Sequence, residues 1–249
     1  MPMVICIIPA RYGSSRLPGK PLADVAGKPL IQWVYEKARA SSLIRETWVA
    51  TDDRRIFDAV QSFGGKALMT TGEYLSGTDR IADAALEIPG DIICNLQGDE
   101  PGIHPETLDQ TIRALLDNPD FHVSTAMVGI QSEKDYRSPA VVKVVCTPDG
   151  TALFFSRSPI PSLVRAGNNT EWEGFFGFKH LGLYVFRRET LLAFPKMKPG
   201  FLERLEQLEQ LRFMENGYRI RVVQTVHDSV GVDTPEDLEE LRAEFQKGI

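Results

Sequence analysis

The strongest constraint on this chain lies near its start, where five consecutive apolar residues, Val4 to Ile8, give way abruptly to a loop whose only charges are positive. So short a run, rich in β-branched residues, is a strand rather than a helix. Its lack of alternation implies burial on both faces, as in the middle of a parallel sheet. Pro9, with no N–H to donate, is expected to end the ladder pairing. Between Arg11 and Lys20 stand three cations, Arg11, Arg16 and Lys20, and no acid. Gly13, Ser14, Ser15 and Gly19 let the backbone turn N–H groups toward an anion. A strand feeding such a loop predicts a polyphosphate site, the plainer alternative being a solvated basic loop.

Two other phosphate loops fail on spacing. A Walker loop has four residues between its glycines and a Ser or Thr after its Lys. Here Gly13 and Gly19 enclose five residues, and Pro21 follows Lys20. The stretch also contains no G-x-G-x-x-G, which argues against a dinucleotide fingerprint.

At 249 residues the chain is long enough for one large α/β domain, and 43% hydrophobic with 25% charged residues is ordinary for a globular protein. The net charge of −6 argues against general nucleic-acid binding, which rests on a basic surface. Cys6, Cys94 and Cys146 form no C-x-x-C pair and sit in β-like apolar runs, which suits buried thiols in a reducing cytoplasm. The four histidines show no H-x-x-x-H spacing, so any metal is expected to be held by oxygen. The N-terminus lacks the pattern of a signal peptide, and no apolar run approaches the ~20 residues that span a bilayer, so a cytoplasmic protein without membrane contact is expected.

Along the chain, helical and strand patterns alternate. Leu30, Ile31, Val34, Tyr35 and Ala38 share a helix face, and Thr47 to Thr51 read as a strand. Ile56, Phe57, Val60 and Phe63 then repeat at helical spacing until Gly64-Gly65. This β-α-β-α order predicts a mostly parallel sheet with helices on both faces and a ligand site at the carboxyl ends of its strands. After the polar stretch 70–78, a helix is expected through Arg80, Ile81, Ala84 and Ala85, capped by Ser76 or Thr78. Its N-terminal N–H groups could meet a ligand.

The strand Asp91 to Leu96 runs into Gln97-Gly98-Asp99-Glu100-Pro101. An acid pair after a buried strand aims carboxylates into the crevice that receives the basic loop, and Gly98 is expected to leave room for a ligand. Magnesium favours one or two carboxylates together with substrate phosphates, although Asp99 could instead cap a turn. A helix from Pro105 and a strand from Val123 to Ile130 follow. Residues 141–155 read as a β-hairpin, and 162–177 as an irregular excursion. In the strand Lys179 to Phe186, His180, Gly182 and Tyr184 share one face. Leu202, Leu205, Leu208 and Leu211 are expected to be the buried residues of one helix that ends at Gly217. After a strand from Arg219 to Val226, Thr234, Pro235 and Asp237 make a capping-box helix start, which places Asp233 beside the strand ends. Capping alone would explain that Asp equally well.

Residues 8–22, 76–80, 97–101, 156–161, 179–184, 208–212 and 231–238 together resemble the sugar nucleotidyltransferases that activate acidic sugars with CTP, specifically the 3-deoxy-manno-octulosonate (Kdo) cytidylyltransferases. The resemblance covers nearly the whole chain. It implies a single Rossmann-like domain over residues 1–249, with an excursion at roughly 156–195 that joins two subunits of a homodimer and helps bind sugar. The implied reaction transfers CMP from CTP to Kdo, giving CMP-Kdo and pyrophosphate for lipopolysaccharide biosynthesis. Ala10, Arg11, Gly13, Ser14, Arg16, Lys20, Ser76, Gly77 and Arg80 would form the nucleotide pocket. Arg11, Arg16, Lys20, Asp99 and Asp233 would act at the reacting phosphates, the two acids as Mg²⁺ ligands. Gln97, Arg157, His180, Tyr184, Glu209 and Gln210 would bind the sugar. Tyr74-Leu75 stand where the family usually has a polar pair, and Gly200-Phe201 where many members have Ser-Pro. The alternatives are CMP transfer to 8-amino-Kdo or a sialic acid, or a non-catalytic nucleotide-binding regulator.

Overall fold

A computed structural model describes residues 2–13, 17–163, 174–229 and 231–247. In chain order the first half comprises β1 (Val4–Ala10), β2 (Asp24–Val25), β3 (Lys28–Pro29), α1 (Leu30–Arg39), β4 (Glu46–Thr51), α2 (Arg54–Ser62), β5 (Lys66–Met69), α3 (Gly77–Glu87), β6 (Ile92–Leu96) and α4 (Pro105–Leu116). There follow β7 (Val123–Gly129), α5 (Glu133–Arg137), β8 (Lys143–Cys146), β9 (Ala152–Ser156), β10 (Phe178–Arg187), α6 (Arg188–Ala193), α7 (Phe201–Glu206), α8 (Gln210–Glu215), β11 (Ile220–Gln224) and α9 (Pro235–Lys247). Among the described residues nine strands join one sheet, in the order β11-β7-β10-β6-β1-β4-β5 with β8 and β9 branching from β10. β10 runs antiparallel between β6 and β7, while β6, β1, β4 and β5 are mutually parallel, as are β7 and β11.

The continuous apolar character of β1 follows from its central position. Val4, Cys6, Ile8 and Ala10 face one core with α1, α2 and α4, while Ile5 and Ile7 face the other with α3 and the segment from α6 to α8. Fully burying one such aliphatic side chain contributes roughly 1.5–3 kcal/mol, so a polar residue on either face of β1 would be costly. The thiols of Cys6 and Cys94 are buried and free, opposite each other in the β1–β6 register. Chain order reverses at β1, whose neighbours are β4 and β6, and a crevice opens there at the carboxyl ends of the strands.

Three expectations need correction. Pro9 does not end β1, because it still pairs opposite Ala50 of β4. β1–β6 pairing stops at Ile7, and the Pro9 carbonyl faces Gly98 beyond that point. N–H and C=O of one residue point to the same side of a parallel strand, so the missing N–H falls where no partner strand remains. Gly98 does not open space either. A Cβ there would lie 2.9 Å from the Pro9 carbonyl oxygen, so the glycine lets two backbones close up.

The third correction concerns the leucine repeat, which is two short helices broken at Gln207 (φ 55°). Steps of three residues slip about 60° around a helix, so four such leucines cannot share one buried face. Leu208 and Leu211 are buried whereas Leu205 is 69% exposed. The break lets Arg212 of α8 reach back to Glu203 of α7, Nε lying 2.8 Å from Oε2 with both side chains buried. β5 escapes sequence reading because its Lys66-Ala67-Leu68-Met69 has no β-branched residue.

Candidate active site

The crevice beside β1 is a cleft of about 340 Å³ whose lining includes Ala10, Arg11, Lys20, Ser76, Gly77, Arg80, Gln97, Asp99 and Asp233. Residues separated by more than 200 positions meet there because three segments end together. The loop after β1 closes on itself through Gly19 N–H to the Tyr12 carbonyl (2.9 Å), with Gly19 at φ 73° immediately before a 3₁₀ turn that carries Lys20. A side chain at Gly19 would be strained by that φ and would press on the Tyr12 ring. The segment after β6 supplies Gln97 and Asp99. The segment before α9 supplies Asp233, and Val232 N–H donates to the Asp99 carbonyl at 2.9 Å, tying the two acid-bearing segments together.

Lys20 occupies the centre of this arrangement. Its ammonium donates to Asp99 Oδ2 (2.6 Å), the Val232 carbonyl (2.7 Å) and Asp233 Oδ1 (3.4 Å). The side chain of Lys20 is only 12% exposed, so the ion pairs are partly shielded from water. One cation already bridges the two carboxylates. An all-oxygen donor set of that kind suits a hard divalent ion that also takes phosphate oxygens, so the residues fit Mg²⁺. The capping box at α9 is present too, with Thr234 Oγ1 accepting from Asp237 N–H and Asp237 accepting from the N–H groups of Asp233 and Thr234. Asp233 enters that box through its backbone N–H, while its side chain turns to Lys20.

At the opposite wall Ser76 caps α3 by accepting from Asp79 N–H. Arg80 is buried and donates to Thr70 Oγ1 (2.6 Å) and Asp52 Oδ2 (2.7 Å), with the Tyr74 ring 4.8 Å from its guanidinium carbon. Asp52 directly follows β4, and its role in holding Arg80 emerges only from the fold. Arg11 is an exposed part of the lining, and Gly13 is exposed but outside it. Ser14 and Arg16 lie outside the described residues.

Of the residues assigned to sugar, Gln97 lines the cleft, whereas Arg157, His180, Tyr184, Glu209 and Gln210 do not. Gln97 leads to them through a buried chain of hydrogen bonds: Gln97 Nε2 to Asn95 Oδ1 (3.4 Å), Asn95 Nδ2 to Thr78 Oγ1 (3.4 Å), and Thr78 Oγ1 to Glu209 Oε1 (2.6 Å). Burial pushes the Glu209 carboxyl up, opposed by the hydrogen bond from Thr78. Asn95 was not singled out from the sequence, although a polar residue inside Ile92-Ile93-Cys94-Asn95-Leu96 was the available signal. Next to Glu209, Gln210 is 2% exposed, and among the described residues its Nε2 has no hydrogen-bond partner.

His180 and Tyr184 share a face across a register shift in β10, their ring centroids 5.2 Å apart. Burial pushes the His180 pKa down to about 3, so the imidazole is neutral near pH 7. Its tautomer follows from its partner. Thr125 Oγ1 spends its proton on the Leu183 carbonyl (2.5 Å), so at the 2.8 Å contact His180 Nε2 must be the donor and Nδ1 keeps the lone pair. Arg157 stands apart from the cleft. Its guanidinium donates to the carbonyls of Glu206 (2.9 Å), Pro139 (3.0 Å) and Gln207 (3.3 Å). Its own carbonyl accepts from the fully buried Lys143 ammonium at 2.6 Å. Residues 164–173 of the excursion lie outside the described ones.

A mixed, mostly parallel sheet with a basic loop after its first strand and an acid pair at the switch point defines the nucleotidyltransferase class. Comparison with known proteins narrows this. The family described as Cytidylyltransferase matches residues 5–220. A 3-deoxy-manno-octulosonate cytidylyltransferase of Geobacter sulfurreducens is 50% identical over 243 residues, covering 96% of this chain and 97% of that protein. One of the same name from Geotalea uraniireducens is 48% identical over 249 residues, covering 98% and 99%. A solved CMP:2-keto-3-deoxy-manno-octonic acid synthetase complexed with CTP superposes with a TM-score of 0.92 at 43% identity, covering 99% of this chain and 100% of that one. The chain belongs to the 3-deoxy-manno-octulosonate cytidylyltransferase family and is a nucleotidyltransferase. Among the described residues no helix is long and apolar enough to cross a membrane.

Proposed function

We propose that the protein transfers CMP from CTP to Kdo, releasing pyrophosphate and supplying CMP-Kdo for lipopolysaccharide assembly. The observation that carries this reading is the Lys20 ammonium seated between Asp99 and Asp233 where the basic loop meets the acid segments. A sugar hydroxyl gives up its proton to solvent and bonds to the α-phosphorus as the bond from that phosphorus to the bridging oxygen breaks, and pyrophosphate leaves with the electron pair of the broken bond. Arg11 and Arg16 would neutralise charge on the triphosphate. Lys20, released from the carboxylates when phosphate oxygens arrive, stabilises the developing negative charge. Asp99 and Asp233 would hold Mg²⁺, which neutralises phosphate charge and acidifies the attacking hydroxyl. No histidine base is then required beside the acids. Ala10, Gly13, Ser14, Ser76, Gly77 and Arg80 complete the nucleotide site.

For the sugar, neutral His180 offers an acceptor nitrogen and Tyr184 a hydroxyl. Gln210 offers an amide that lacks a partner until a ligand brings one, since a buried unpaired donor costs about 1–3 kcal/mol. Glu209 and Gln97 stand at the two ends of the hydrogen-bond chain and would orient the sugar hydroxyls. Arg157 keeps two of its five N–H groups for the sugar carboxylate once three have gone to carbonyls. The reading includes a cytoplasmic homodimer joined through the excursion at roughly 156–195. Pyrophosphate release should be measured with CTP and UTP crossed against Kdo, 8-amino-Kdo, a sialic acid and a neutral hexose 1-phosphate. CTP with Kdo should lead, and a neutral hexose should fall at least ~30-fold behind, the cost of leaving one charged contact unpaired. Efficient use of the hexose phosphate with both Kdo forms untouched would overturn the assignment, and no release with any pair would favour a non-catalytic nucleotide-binding protein.

A further inference from the structure

Outside the nucleotide cleft, the fold brings His227 to two side chains, His104 and Glu106, that precede it by more than 120 positions, and all three carry metal-ligating atoms. His104 immediately precedes α4, Glu106 lies in its first turn, and His227 lies between β11 and α9. A ligand atom from each, two imidazole nitrogens and a carboxylate oxygen, lies within 4.8 Å of the others. The imidazole rings are stacked, with centroids 3.7 Å apart and planes 15° from parallel. His227 Nε2 is 3.1 Å from Glu106 Oε2, while Gln110 Nε2 donates to the other oxygen of Glu106 at 3.2 Å. The backbone beneath is pinned, since His227 N–H donates to Thr225 Oγ1, which meets Thr107 Oγ1 of α4 at 2.9 Å.

We propose that His104, Glu106 and His227 form a binding site for a divalent transition metal of the zinc type, separate from the oxygen-only pair Asp99 and Asp233. Two imidazoles and a carboxylate with an open fourth position are a donor set that Zn²⁺ takes and that Mg²⁺, which favours oxygen, does not. With metal–ligand bonds of about 2.0–2.1 Å at tetrahedral angles, neighbouring ligand atoms sit about 3.3 Å apart. The Glu106–His227 pair already has that spacing, so only the exposed His104 ring must adjust. His104 Nδ1 now accepts from Glu106 N–H at 3.2 Å, and a neutral ring has one lone pair, so binding exchanges this helix cap for a metal bond. Gln110 supplies the outer contact that orients a ligating carboxylate. His104 lies five residues beyond Asp99 and His227 six before Asp233, so an occupied site ties together the two segments that carry the acid pair.

The test uses the full chain after chelator treatment, in saturating Mg²⁺. Zinc uptake is titrated against a chromophoric indicator, Co²⁺ is followed by visible absorption, and thermal unfolding is followed with and without zinc. The variants are His104→Asn, which keeps a good capping side chain, and His227→Gln, each checked for native circular dichroism. The wild type should take up one equivalent of zinc and give the absorption of tetrahedral Co²⁺. Its unfolding midpoint should rise by ~5–10 °C at a hundredfold excess over Kd. Each variant should bind at least ~30-fold more weakly and lose the midpoint shift. Asp99→Asn should leave uptake unchanged. Absence of stoichiometric uptake by the wild type, or equal uptake by the wild type and both histidine variants, would overturn the proposal.

Discussion

Lowering the pH from 7 to 5 should cost the folded protein about 2 kcal/mol through His180 alone. The unfolded chain takes up a proton at this ring near the ordinary value of 6.5, whereas burial holds the folded pKa down to about 3. A group whose folded pKa is depressed favours the unfolded state as pH falls through the interval between the two values, so the loss begins near pH 6.5 and grows down to about 3. Across the two units considered, the unfolded state gains about 25-fold from proton binding, or about 2 kcal/mol. This is a ceiling, because solvent reaching a half-buried ring screens part of the penalty. No carboxylate is among the causes of the shift, so desolvation is not offset by a charge partner. Urea unfolding of the wild type and His180→Gln at pH 7, 6 and 5 isolates the contribution. The glutamine amide can still donate to Thr125, so the local fold should persist. The wild type should lose up to about 2 kcal/mol more than the variant over that range, and His180→Gln should raise KM for the sugar more than it lowers turnover. Parallel pH profiles for the two proteins would refute the assigned burial of a neutral imidazole.

Two further outcomes test the phosphate end of the site. Lys20→Met should lower turnover by ~100-fold or more, about the loss of one well-placed transition-state contact, and leave a soluble folded protein; near-normal turnover would make the basic loop a surface feature. Asp99→Asn and Asp233→Asn should each depress turnover and weaken its dependence on Mg²⁺, with the double variant scarcely worse than the poorer single one, because ligands of one ion act as a unit. Multiplying losses would point to separate roles.

The sequence by itself determined the class of fold. Continuous burial leaves β1 no polar position, and the period of α1 places Leu30, Ile31, Val34, Tyr35 and Ala38 inward, as found. It also marked the basic loop, the acids after β6 and the capped start of α9, because glycine, proline and charge have local meanings that read without neighbours. Tertiary structure decided the rest. Whether Asp233 only served its helix or faced the cleft could not be read from a capping box; the Val232–Asp99 backbone bond and Lys20 decide it in space. Four leucines at a spacing of three looked like one helix until Arg212 found Glu203 and the chain turned at Gln207. Asn95, Asp52 and Thr78 gained roles through partners on other elements, and His104 met His227 across about half the chain. Local pattern reports how a residue prefers to fold and which side it buries. Which distant side chain stands opposite it depends on sheet order and register, which arise from the whole chain packing at once.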